Sequence, residues 1–134
     1  MSSRPTIILV PGAWHKADAY RPLSSGLESA GYKVVGVDLP SAVAEGDEPT
    51  PDYDADRDAI AAAIKSEVDA GKQVALIVHS YGGIPGSEAI KGFEDRVARL
   101  VFLCSFAVPL GGSLHAMLGG QWLPWMKEEQ GVCC

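Results

Sequence analysis

Val74-Ala75-Leu76-Ile77-Val78-His79-Ser80-Tyr81-Gly82-Gly83-Ile84 is the stretch that decides the fold. Its first five residues form an apolar, partly β-branched run of strand length, which reads as a buried strand. His79-Ser80-Tyr81-Gly82-Gly83 breaks the run, Ile84 to Lys91 reads as a helix, and Gly92 as its stop. A buried strand that turns sharply into a helix is the context a nucleophile elbow requires. There a serine hydroxyl projects beyond the strand end, the helix N-terminus behind it is partially positive, and small residues such as Gly82 let strand and helix pass closely. Ser80 is therefore the candidate nucleophile, and an ordinary strand-to-helix turn with a serine N-cap is the plainer alternative.

Upstream, Thr6 to Val10 is another short apolar run, stopped by Pro11-Gly12. Tyr20, Leu23, Leu27 and Ala30 recur at helical spacing, Gly31 follows as a C-cap, and Lys33 to Val37 gives a second strand. Strand, helix and strand in about 30 residues make a βαβ unit and imply a parallel sheet. Ser41 to Asp56 is an acidic, Pro-containing surface excursion, after which Ile60, Ile64 and Val68 restore helical period. Downstream, Val97 to Cys104 is a nearly continuous apolar strand with Cys104 buried in it. The expected fold is α/β: a three-layer αβα arrangement on a parallel sheet of about four strands. Residues 1–109 form its core, and 110–134 the start of a cap or an irregular tail.

Composition is consistent with one globular domain. The 134 residues are 47% hydrophobic and 21% charged. No apolar run approaches the roughly 18 residues a membrane helix needs, and the N-terminal residues lack a signal-peptide pattern, so the expected compartment is the cytoplasm without membrane attachment. Seventeen acidic against eleven basic residues give a net charge of −6, and the basic ones are scattered singly, which makes nucleic acid a poor partner. Cys104 and the terminal pair Cys133-Cys134 indicate neither a disulfide framework nor a zinc site.

An activated serine needs donors for the oxyanion that develops as it attacks. Tyr81 offers a backbone N–H from the helix start. Ala13 offers a second from Pro11-Gly12-Ala13-Trp14-His15, where Gly12 lets the chain bend. His15 lies on the same turn and is the local candidate for a general base, whereas strand alternation should point His79 away from Ser80. His115, in the tail, is a weaker candidate.

Together these segments resemble the α/β-hydrolase superfamily. The succession of Pro11-Gly12-Ala13-Trp14-His15, Val34-Val35-Gly36-Val37-Asp38-Leu39-Pro40 and His79-Ser80-Tyr81-Gly82-Gly83 is similar to its serine esterase branch of methylesterases and hydroxynitrile lyases, over about Thr6 to Pro109. The resemblance implies that Ser80 is the nucleophile, that Ala13 and Tyr81 are the oxyanion-hole donors, and that Ser105 to Met126 begins a cap. This chain departs from the family at Pro11, where a histidine is common, and at Val78, where a small residue is usual. Triad acid and histidine follow the serine on later loops in that family, so the resemblance implies its N-terminal half, with both absent. In a worked serine triad, loss of the base alone costs about 10⁶ in kcat.

The function expected is that of a serine-nucleophile hydrolase acting on a small ester or lactone, with an incomplete triad. The alternatives are an inactive form that binds a ligand or partner chain, and a non-hydrolytic lyase or cyclase on the same fold. Trp14, Trp122 and Trp125 point to an apolar or aromatic substrate. An exposed apolar edge at Val97 to Cys104 offers a route to homo-oligomers. No cofactor or metal is expected. Asp52, Asp54, Asp56 and Asp58 alternate as in a calcium loop, but Arg57 and Ala63 stand where Gly and Glu are needed. Asp38 holds the place of a ribose-binding acid, but no GxGxxG precedes it.

Overall fold

The computed structural model describes residues 4–42 and 52–126, together with the backbone of Glu128–Glu129 and Val132–Cys133. The first three residues, most of the acidic excursion (43–51) and the side chains of Cys133 and Cys134 lie outside the described residues.

Strands β1 (Thr6–Val10), β2 (Val34–Gly36), β3 (Val74–Ser80) and β4 (Val97–Ser105) form one sheet in the order β2-β1-β3-β4. Every pairing is parallel. Helices α1 (Arg21–Ser29), α2 (Tyr53–Asp69) and α3 (Gly83–Ala89) are the crossovers, and a 3₁₀ turn (Ala17–Tyr20) leads into α1. Beyond the sheet lie α4 (Leu114–Met117) and a short antiparallel pair, β5 (Glu128–Glu129) and β6 (Val132–Cys133).

The central strands β1 and β3 are apolar because both of their faces are covered. Ile8, Val10, Leu76 and Val78 share one face and pack with Ile60 and Ile64 of α2 and Ala89 of α3. The opposite face carries Leu9, and α1 lies beside it, with its own apolar residues only half-buried. Two glycines set the close approach of α3. A Cβ at Gly82 would run into the Pro11 carbonyl and lie 2.9 Å from Val10 Cγ1, and one at Gly86 would lie 2.7 Å from Val78 Cγ1. Gly86 thus makes the room that Val78 requires.

Helix α2 starts earlier than apolar periodicity predicts. The Asp52 carboxylate caps it by accepting from the Asp54 N–H at 2.9 Å, and the helix runs from Tyr53. The four alternating aspartates therefore diverge. Asp52 is the cap, Asp54 and Asp58 bond Arg57, and Asp56 is fully buried.

Cys104 is a correction to the sequence reading, because it is exposed. His79 of β3 pairs with Leu103 of β4 while the next residue, Ser80, pairs with Ser105, so Cys104 is the extra residue of a bulge, with φ 44°. β4 is also the edge strand, and it leaves Val101, Phe102 and Leu103 at 40–47% exposure. No helix among the described residues is long and apolar enough to cross a membrane.

Candidate functional site

Ser80 ends β3 with φ 50°, a left-handed conformation that a non-glycine residue adopts at a cost of about 1–3 kcal/mol. Three hydrogen bonds hold it there. Gly82 N–H donates to the His79 carbonyl at 2.8 Å, and the Ser80 carbonyl accepts from Ser105 Oγ at 2.7 Å and from Phe106 N–H at 3.1 Å. The bulge at Cys104 is what brings Ser105 and Phe106 into reach. Sequence spacing gave no sign of these two residues, since their role depends on a one-residue slip between β3 and β4.

The turn after β1 lies against this serine. A Cβ on the buried Gly12 would sit 3.0 Å from both Ser80 Cβ and His79 Nδ1. His79 and Ser80 thus both border Gly12, and the positive φ at Ser80 takes that residue out of the extended strand conformation. Ala13, next to Gly12, and Tyr81, next to Ser80, have N–H groups that donate to no protein acceptor among the described residues. Trp14 follows in a left-handed conformation, φ 62°, and the His15 N–H closes the turn on the Gly12 carbonyl at 3.4 Å.

Tyr81 is anchored by its side chain. Its hydroxyl donates to Asp56 Oδ2 at 2.9 Å, and the same carboxylate accepts from Ser41 Oγ at 2.6 Å and Ser41 N–H at 2.9 Å. Burial first, and then the Asp56 charge, push the Tyr81 phenol far above its ordinary range, so it remains a proton donor. Tyr53 is raised in the same sense by burial and by its bond to Glu88. Asp56 and Ser41 were not legible as site residues, because their meeting depends on how α2 crosses the sheet. A cavity of about 960 Å³ is lined in part by Tyr53, Tyr81, Ile84, Leu110 and Leu114, with Ser80 and the turn after β1 outside its lining.

The histidines are not joined to Ser80 by a hydrogen bond. His15, exposed, has its Nδ1 2.8 Å from the Ala13 carbonyl. His79 Nδ1 is 2.6 Å from the Tyr20 hydroxyl, and the His115 ring lies 4.8 Å from that of Trp122. Trp125 meets Trp14 edge-on at 5.7 Å, which brings the segment after β4 over the turn after β1.

This arrangement agrees with the relatives of the chain. A family model described as "Alpha/beta hydrolase family" matches residues 7–131. The alpha/beta hydrolase nvfD of Aspergillus novofumigatus is 39% identical over 123 residues, 86% of this chain and 48% of its own length. Methyl jasmonate esterase 1 of Vitis vinifera is 32% identical over 102 residues, 74% of this chain and 38% of its own. Tomato methylketone synthase I superposes with a TM-score of 0.73 at 19% identity, over 88% of this chain and 46% of that one. The chain thus spans about half the length, or less, of each of these relatives. With a family model covering nearly all of it and the strand order and serine turn described above, this chain belongs to the alpha/beta hydrolase family.

Proposed function

We propose that the chain carries the nucleophile and oxyanion half of a serine esterase site. Ser80 Oγ attacks the carbonyl carbon of a small ester or lactone and loses its proton to a base. The carbonyl oxygen becomes an oxyanion that the Ala13 and Tyr81 N–H groups bind. Collapse of this intermediate breaks the C–O bond, the alkoxide takes the proton back from the base, and water then hydrolyses the acyl-serine. The observation that carries this reading is Ser80 itself, held at φ 50° between strand and helix with Gly12 against its Cβ. An N-capping serine on an ordinary turn would need no such strain.

An apolar acyl or aromatic group on the substrate is supported by Trp14 and Trp125, which meet at the oxyanion turn. On this reading residues 110–134 begin a cap over the site, attached through the Trp14–Trp125 contact. Among the three histidines, His15 is the candidate base because it lies on the oxyanion turn; with Nδ1–H donating to the Ala13 carbonyl, its Nε2 is the nitrogen left to take a proton. The absence of a described hydrogen bond from Ser80 Oγ to a histidine favours a second reading, a site that binds its ligand without turnover.

Exposure to a fluorophosphonate probe followed by intact-mass measurement separates the two. Labelling that disappears in Ser80→Ala supports the esterase reading, and its further loss in His15→Ala assigns the base. A chain that stays unlabelled, or a Ser80→Ala variant that labels like wild type, overturns the esterase reading.

A further inference from the structure

We propose that Tyr20 is a positioning residue that clamps the oxyanion turn to the serine turn. Its hydroxyl lies 2.9 Å from Gly12 N and 2.6 Å from His79 Nδ1, so one oxygen joins the residue before Ala13 to the residue before Ser80. The consequence for catalysis rests on the serine reading above.

Gly12 N–H donates, so the Tyr20 oxygen accepts there, and with its single hydrogen directed to His79 Nδ1, the acceptor within reach, the same oxygen both accepts and donates. Neutral His79 is then the Nε2–H tautomer, with Nδ1 as the acceptor. The Tyr20 ring meets the His79 ring edge-on at 5.5 Å, which fixes the imidazole orientation as well as its proton.

The clamp is itself mounted on the sheet. Tyr20 ends the 3₁₀ turn, which begins where Ala17 N–H donates to Asp38 Oδ1 at 2.9 Å, just beyond β2. The 3₁₀ turn and its tyrosine hydroxyl together therefore relate the end of β2, the turn after β1 and the end of β3. Gly12 needs such a tether. It has no Cβ, because one would press on His79 and Ser80, and a glycine peptide without a fixed partner is free to rotate. Rotation of the peptide before Gly12 carries the following one, with the Ala13 N–H, off its position. Misplacement of a reacting geometry by about 1 Å costs on the order of 10²-fold in rate.

The test uses the 134-residue chain, with Tyr20→Phe to remove the hydroxyl and His79→Asn to keep an acceptor, since Asn Oδ1 occupies the same place on Cγ as Nδ1. Long-range ¹H–¹⁵N correlation reads the His79 tautomer and the Gly12 amide, and fluorophosphonate labelling reads Ser80. We expect Nε2–H for His79 in wild type. In Tyr20→Phe we expect a shift to mixed tautomers, an upfield move of the Gly12 amide, and labelling slowed about ten- to a hundred-fold. His79→Asn should retain the Gly12 shift and near-normal labelling. A Tyr20→Phe chain with unchanged His79 and Gly12 signals, or with full labelling despite changed signals, overturns the proposal. A wild-type chain that never labels but whose His79 responds to Tyr20→Phe refutes the serine reading and, with it, the catalytic role of Tyr20. That result is distinct from a clamp that does not exist.

Discussion

Replacing Asp56 by alanine should be among the most damaging single changes in α2, and its cost can be worked from the donors it leaves without an acceptor. The carboxylate is fully buried and accepts from Ser41 N–H, Ser41 Oγ and Tyr81 Oη at 2.9, 2.6 and 2.9 Å. In Asp56→Ala the Ser41 N–H and the Tyr81 hydroxyl lose their acceptor where water reaches poorly, and each unsatisfied donor costs about 1–3 kcal/mol. The expected loss is therefore about 2–6 kcal/mol, a large share of the roughly 5–15 kcal/mol that holds a domain folded. Asp56→Asn should cost about 1 kcal/mol. Its amide oxygen can still accept from Ser41 N–H, and the two hydroxyls can reverse and accept from the amide nitrogen. Tyr81→Phe, which removes a single bond, should fall near that value too. Urea unfolding followed by tryptophan fluorescence measures all three as shifts of the midpoint at constant slope. Asp56→Asn as damaging as Asp56→Ala would show that charge and not hydrogen-bond geometry is what the site needs. A loss below about 1 kcal/mol in Asp56→Ala would refute the reasoning altogether.

Four further outcomes are expected. Gly82→Ala should destabilise by about 1–3 kcal/mol, because its Cβ meets the Pro11 and His79 carbonyls, which cannot move aside. Gly26→Ala, in α1 with open space around it, should stabilise by about 0.5–1 kcal/mol, and thermal melts of the pair compare them directly. Glu67 is held below the usual carboxylate range first by Lys33, at 2.5 Å, and then by Thr6, at 2.9 Å. A depressed carboxylate stabilises above its unfolded value and loses that contribution as pH falls through its folded one. The urea midpoint of wild type should therefore exceed that of Glu67→Gln at pH 7, and the gap should close under acid conditions; a gap that widens would contradict the assignment. Val101→Lys places a charge on the exposed face of edge strand β4, and sedimentation should show less self-association than wild type; equal sedimentation of two monomeric chains would remove the edge as an interface.

Sequence alone determined the sheet and the serine turn. The runs at Thr6 to Val10 and Val74 to Val78 are apolar because strands covered on both faces must be, and Pro11-Gly12 and Gly82-Gly83 mark turns that only particular backbone conformations permit. Those signals are local in the chain, so the βαβ order, the parallel pairing and the place of Ser80 could be read directly. Tertiary structure decided the rest. Whether Cys104 is buried depends on a bulge and on the edge position of β4 in the described sheet, and the meeting of His79 and Ser80 at Gly12 depends on how closely the turn after β1 packs on the end of β3. The partners of Ser80, Tyr81 and Gly12 are Ser105, Asp56 and Tyr20, which come from a neighbouring strand, a crossing helix and a 3₁₀ turn. A hydrogen bond between side chains far apart in sequence leaves no periodicity and no spacing. It exists only once the sheet has set the distances between elements.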